Sequence, residues 1–373
     1  MMVNGLEVIR RFETRFPLWL AEEGDPVGLH IGELDRNIER IMVTLDVRPE
    51  VVAEAIEKQV DLIIAKHPPI FRPIQRLTPE NPQTKMYLDL IKHDIAVYAA
   101  HTNMDIAQNG LNDWFCEALG VEVDHYLTKT HEVALRKLVV FTPKDNAHTM
   151  RQALGDAGAG SQGEYHHTSY SMSGIGRFTP TESADPTIGV AHQPEEVSEE
   201  RIEVIYPETI ERQVIEAMLA VHPYEEPAYD ILSLHNPPQT YGVGRVGSLK
   251  EAMSLDDFVE KVKRCFDLET LRVIEPTNPK KHIKRIAICG GSGEKFYVDA
   301  LKHRADVYLT GDVYYHTAHD MQAAGLTVID PGHHIEVLCV PKVVEILEKW
   351  KKTEEWDVAI IPSRTNTNPF QDR

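Results

Sequence analysis

The feature that most limits this chain's fold is a repeated pattern: a short, wholly apolar run that stops abruptly at a polar segment. DLIIA (61–65) runs into KHPPIF, and IAVYAA (95–100) runs into HTNMDIAQNG. The last third repeats the pattern. KRIAIC (284–289) enters GGSGEKF, DVYLT (306–310) enters GDVYYHTAHD, and LTVID (326–330) enters PGHHIE. Apolar runs of this length, without polar alternation, suit strands buried on both faces, as in parallel sheets covered by helices. Helical spacing fills the gaps between them. Leu6, Ile9, Phe12 and Phe16 share a face before Pro17, and Val52, Ala55, Ile56 and Val60 share another. Further helices are expected near 83–93 and after Pro341, with Val343, Val344, Leu347 and Trp350 inward. Strands alternating with helices predict an α/β fold built on a parallel sheet.

The middle of the chain reads differently. KLVVFTP (137–143) precedes a helix carrying Ala147, Met150 and Leu154, and a polar, Gly/Ser/His-rich stretch follows (155–187). RIEVIYP (201–207), a helix at 208–221 and HPYEEPAYDILSL (222–234) complete a short-scale βαβ pattern, which predicts a small α+β domain with an antiparallel sheet. GIGR (174–177) and GVGR (242–245) bracket its second half. The 373 residues exceed one ordinary core. The expected division is an α/β domain in two segments, 1–128 and 248–373, interrupted by an insert at 129–247.

A formal net charge of -19 opposes a general phosphate-backbone binder, so nucleic acid is not an expected partner. No apolar run is long enough to span a bilayer, and MMVNGLEVIRRFETRFPLWL lacks a signal-peptide core; a cytoplasmic location and no membrane partner are expected. Cys116, Cys265, Cys289 and Cys339 form no CxxC pair and are expected to be reduced and mostly buried.

Chemistry concentrates at the strand ends, where open α/β sheets build their sites. His67 follows the strand 61–65, and His101 and Asp105 follow 95–100. Asp312 and His316 follow 306–310, and His333, His334 and Glu336 follow 326–330. Imidazole with carboxylate suits zinc, iron, manganese, nickel or cobalt. The HxxxD spacing of His101 and Asp105, and the HxxE spacing of His333 and Glu336, each face one way. A lone histidine is more often structural; the repetition at four strand ends is what points to a metal. GGSGEKF offers Gly290, Gly291, Ser292 and Gly293 either as a tight strand-to-helix turn or as a cradle for the phosphate of a nucleotide or phosphorylated small molecule. HPYEEPAYD reads as a turn with solvated carboxylates or as a second metal site.

The segments TLDV…DLIIAKHPPIF, HTNMD, TGDVYYH and DPGHHIE resemble those of the NGG-interacting-factor-three-like family, whose bacterial members carry the label of homologues of type 2 GTP cyclohydrolase I. HPYEEPAYDI and GVGRVG are similar to the inserted domain of its longer members, which resembles the ferredoxin-like PII and CutA fold. The resemblance implies a dinuclear metal centre in a toroidal homohexamer, a trimer of dimers. It places His67, His101, Asp105, His333 and Glu336 as ligands, with Asp105 and Glu336 able to bridge two metals. Asp312 and His316 are expected beside the ligands, Asp312 accepting a histidine N–H. Lys66 is a departure, since many members have histidine there and an ammonium cannot ligate a cation. His334 either compensates or is a solvent-facing neighbour. Two functions remain in view: a metal-dependent hydrolase resembling GTP cyclohydrolase, with no catalytic residue assignable, or a regulatory, metal-handling ring whose insert senses a ligand.

Overall fold

The computed structural model describes residues 3–371. Two compact units are present, one formed by the chain up to His131 together with the chain from Tyr241 onward, the other by Glu132–Thr240.

In the first unit, the helix Gly5–Arg15 starts where the Asn4 side chain accepts the Leu6 N–H. It buries Val8, Ile9 and Phe12, and ends at Arg15, two residues before Pro17, close to where the sequence predicts. The apolar runs become strands, in two sheets instead of one. The first sheet runs Ala359–Pro362, Arg40–Thr44, Leu62–Ala65, Ala96–Ala99, Gly28–Ile31. Its first four strands are parallel, and Gly28–Ile31 is antiparallel to Ala96–Ala99. The second sheet runs Arg272–Ile274, Thr327–Asp330, Val307–Leu309, His282–Ile288, Gln239–Ser254, Val121–Val133. Thr327–Asp330, Val307–Leu309 and His282–Ile288 run parallel; Arg272–Ile274 and Gln239–Ser254 pair antiparallel with their inner neighbours. An apolar run signals double burial, and it carries no information on which sheet the strand joins.

The double burial is real. Ile41, Val43, Leu62 and Ile64 share one core with Ile286, Ile288, Val307 and Leu309 of the second sheet. Met42, Ile63, Ala65 and Val97 point the other way, into a core with Val51, Val52, Ala55, Met86 and Leu90 from the helices Pro49–Glu57 and Pro82–Lys92. GVGR (242–245) has a structural role here. The buried Arg245 guanidinium grips Asp113 with two bonds of 2.7 Å and donates to the carbonyls of Gly242, Gly244 and Ala107.

The second unit is an antiparallel sheet in the order Tyr229–Ser233, Leu135–Pro143, Glu195–Pro207, Tyr170–Phe178. Leu138, Val140, Ile202, Val204 and Tyr206 meet Met150, Leu154, Val214 and Met218 of the helices Ala147–Asp156 and Glu211–Val221. The stretch 155–187, read as polar and Gly/Ser/His-rich, contains the strand Tyr170–Phe178. Its large side chains Tyr170, Met172 and Ile175 are exposed, so no buried alternation marks it in the sequence. Among the described residues no helix is long and apolar enough to cross a membrane.

Candidate metal centre

His67 and Lys66 continue the strand Leu62–Ala65 by one step each, donating N–H groups to the Leu45 and Thr44 carbonyls. His333 and Glu336 lie on the short turn His333–Leu338 that follows Thr327–Asp330. Loops from both sheets therefore supply one cluster. His67 Nε2 lies 2.9 Å from Glu336 Oε2, and His333 Nε2 lies 3.7 Å from the same oxygen. One ligand atom from each of His67, His333 and Glu336 falls within 4.8 Å of the others. The His67 ring stands 5.2 Å from the His333 ring and 5.6 Å from the His101 ring.

Each of these three histidines has Nδ1 tied to an aspartate. Asp46 holds His67 at 2.8 Å, Asp25 holds His101 at 2.7 Å, and Asp312 holds His333 at 2.6 Å. An Nδ1–H donated to a carboxylate fixes the tautomer that leaves Nε2 as a ligand and makes that nitrogen a stronger one. The aspartates are themselves held. Asp25 accepts from the Thr102 N–H at 3.0 Å and from its hydroxyl, Asp46 accepts from the Thr367 hydroxyl, and Asp312 accepts from Ser292 Oγ at 2.6 Å. Burial pushes Asp25, Asp46 and Asp312 up, but their hydrogen bonds outweigh it and hold all three carboxyls below the usual range.

Lys66 lies among the carboxylates, its side chain only 1% exposed. Its Nζ is 3.2 Å from Asp105 and 3.5 Å from Glu336. Burial opposes its charge, yet Asp105 and Glu336 raise its pKa above the ordinary lysine value. Burial likewise opposes the Glu336 charge, while Lys66 and bonds from His333 and His67 hold that carboxyl far below its usual range. Asp105 moves up, because burial and the Glu336 charge together outweigh Lys66. Without a metal, hydrogen bonding to Glu336 raises His333 to about 9. Asp105 turns both oxygens to Lys66 Nζ at 3.2 Å, with the hydrogen bond made to Oδ2.

The remaining expected residues separate. His334 is half-buried, and burial lowers its pKa. It is not in the triad. His316 is exposed and packs its ring on Tyr315, and among the described residues no hydrogen bond ties it to the cluster. The glycine loop serves the site by close approach. A Cβ on Gly291, at φ +61°, would sit 2.7 Å from Glu336 Oε1. Two N–H groups of the expected phosphate cradle are spent inside the protein, Gly290 on Asn112 Oδ1 and Gly293 on Thr310 Oγ1.

The family model described as Duf34/NIF3 (NGG1p interacting factor 3) matches residues 3–369. The chain belongs to the Duf34/NIF3 family. A Bacillus subtilis relative named GTP cyclohydrolase 1 type 2 homolog is 45% identical over 368 residues, covering 99% of this chain and 98% of its own. A Listeria innocua relative of the same name is 41% identical, with 99% of each chain covered. The crystal structure of a Bacillus cereus protein related to NIF3 superposes with a TM-score of 0.90 at 41% identity, covering 100% of both chains.

Within this Duf34/NIF3 chain, the sequence reading missed Asp46 and Asp25. Asp46 closes the apolar run IMVTLD (41–46), so it lies at a strand end like the residues that were selected. Asp25 sits in the GDPVG turn and carried no comparable signal.

Proposed function

We propose that this Duf34/NIF3 protein holds one divalent metal ion, zinc in the first instance, through His67 Nε2, His333 Nε2 and Glu336. The observation that carries the reading is the set of three aspartate-anchored histidines, two of which aim Nε2 at one Glu336 oxygen. The donor set fits a borderline-soft divalent ion, and iron, manganese, nickel or cobalt would be accepted by the same atoms. The dinuclear count implied by the resemblance is set aside on charge. Lys66 already supplies a cation between Asp105 and Glu336, where a second ion would need both carboxylates.

Such an ion supplies Lewis acidity and lowers the pKa of a coordinated water. The chain's own groups do the rest. Asp46, Asp25 and Asp312 hold the imidazoles in one tautomer, and Lys66 keeps Glu336 ionised. His101, whose Nδ1 is taken by Asp25, is left with Nε2 to meet a substrate or a water. The proposed activity is hydrolysis of a phosphorylated or cyclic substrate, with GTP first because relatives carry the GTP cyclohydrolase 1 type 2 homolog name. We carry the homohexamer, the PII/CutA-like character of the second unit, the division at 129–247 and a cytoplasmic location as parts of the same proposal. Zinc-loaded protein should open the imidazole ring of GTP, and His333→Ala should abolish the reaction. No turnover of GTP or of a panel of phosphorylated substrates would leave the non-catalytic, metal-handling ring ahead.

A further inference from the structure

Two sequence motifs are left unused by the metal centre, GIGR (174–177) and the HPYEEP part of HPYEEPAYD (222–230), and the second unit brings them together. In its sheet, Gly174 lies opposite Glu199, Met172 opposite Arg201, and Arg201 opposite Phe141. Val140, Ile202 and Val204 face the helices, so by alternation Phe141, Glu199, Arg201, Gly174 and Gly176 face the other way. Tyr224 to Glu226 and the segment 180–188 border that helix-free face and line a cavity of about 620 Å³. This is the size of a site for a metabolite-scale ligand.

The two glycines form part of its lining. A Cβ on Gly176 would lie 2.2 Å from Glu199 Oε2, and one on Gly174 would meet nothing within 4 Å. Phe141, Phe178, Pro180, Pro186 and Ile188 give apolar walls. The polar centre is Glu199, 9% exposed, which accepts the Tyr224 hydroxyl at 2.9 Å. Nearby cations are engaged elsewhere. Arg201 pairs with Glu203 at 2.8 Å, and Arg177 pairs with Glu196 at 2.7 Å. His222 accepts the Tyr224 N–H on Nδ1 and donates from Nε2 to the Phe141 carbonyl, an arrangement of the neutral ring. Among the described residues no ion pair to Glu199 is formed. Arg177 and Arg201 also line the cavity, yet both are spent on other glutamates, and a buried carboxylate left without an ion pair is a place for a cation to come from outside.

We propose that this cavity binds a small organic cation, an arylalkylammonium whose apolar body fills the aromatic walls and whose N–H groups bind Glu199. The site is independent of the metal centre and gives the chain a second small-molecule specificity.

The test is calorimetric titration of the full chain with tryptamine, with indole-3-propionate as a similar ring bearing the opposite charge. The expected result is saturable binding of one tryptamine per chain and none of the carboxylate. Glu199→Gln keeps an acceptor for Tyr224 and should weaken tryptamine about tenfold or more. Gly174→Leu, placed where the backbone meets open space, should fill the cavity and abolish binding, with circular dichroism confirming the fold of both variants. No saturable tryptamine binding, equal binding of indole-3-propionate, or a folded Glu199→Gln that binds as well as wild type would each overturn the proposal.

Discussion

Replacing Lys66 by methionine removes the one buried cation of the metal centre while keeping most of the side-chain volume. The ammonium lies 3.2 Å from Asp105 and 3.5 Å from Glu336. At an effective dielectric of about 20, each contact is a gross attraction of roughly 5 kcal/mol, largely offset by desolvation of the charges. Removal of Lys66 leaves Asp105 buried without its cation, while Glu336 keeps its contacts with His67 and His333, and such a change costs about 3–5 kcal/mol. Trp19, Trp114, Trp350 and Trp356 are the only tryptophans, and all lie in the first unit, so their emission follows that unit alone during urea unfolding. Lys66→Met in chelator should lose about 3–5 kcal/mol, and a divalent ion should restore part of the loss by taking the vacated place. A loss below about 1 kcal/mol in chelator would refute the reasoning, because Lys66 would then not be neutralising the two carboxylates.

The aspartates behind the histidines give a second prediction. Asp46→Asn and Asp312→Asn should each weaken zinc binding about 10- to 100-fold by competition with a chromophoric chelator, while the fold persists. Glu54 gives a pH prediction. It accepts from Lys58, Ser363 Oγ, the Arg364 N–H and the Thr365 hydroxyl. Burial raises its pKa, but these bonds prevail and bring it down to about 2 from 4.5. A depressed carboxyl stabilises above its unfolded pKa and loses that stability as pH falls through its folded one. The wild type should therefore exceed Glu54→Gln by about 2–3 kcal/mol at pH 7, hold that lead down to about pH 4.5, and lose it near pH 2. The thiols give the last prediction. Cys116, Cys289 and Cys339 are buried and only Cys265 is exposed, and burial pushes the Cys116 thiol up to about 12. A thiol reagent should modify one cysteine in the native chain and four in urea.

The strands were legible because burial on both faces forces unbroken apolar runs, as in DLIIA and LTVID. Which sheet each run joins was not, since Leu62–Ala65 and Thr327–Asp330 carry the same signature and lie in different sheets. The strand Tyr170–Phe178 stayed hidden because its large side chains face outward and its glycines serve a cavity. At the metal centre, histidines at strand ends marked His67 and His333, and the family resemblance added weight to both. Asp46 and Asp25 escaped because an aspartate in a turn is common, and its bond to a histidine distant in sequence leaves no local mark. Lys66 was visible as an oddity of sequence, while its place between two carboxylates is a property of the fold. GIGR was noticed as a repeat of GVGR, yet the two do unlike work: Arg245 clamps a helix start, and Gly174 and Gly176 face open space and a carboxylate.

The central claim is a single divalent ion held by His67, His333 and Glu336. Metal content per chain tests it most directly, in protein purified without added metal, for wild type, Glu336→Gln and Lys66→His. The account predicts about one ion in wild type, none in Glu336→Gln, and a second ion gained by Lys66→His as an imidazole replaces the ammonium. Equal metal in wild type and folded Glu336→Gln would contradict the triad, and two ions in wild type would contradict the role given to Lys66.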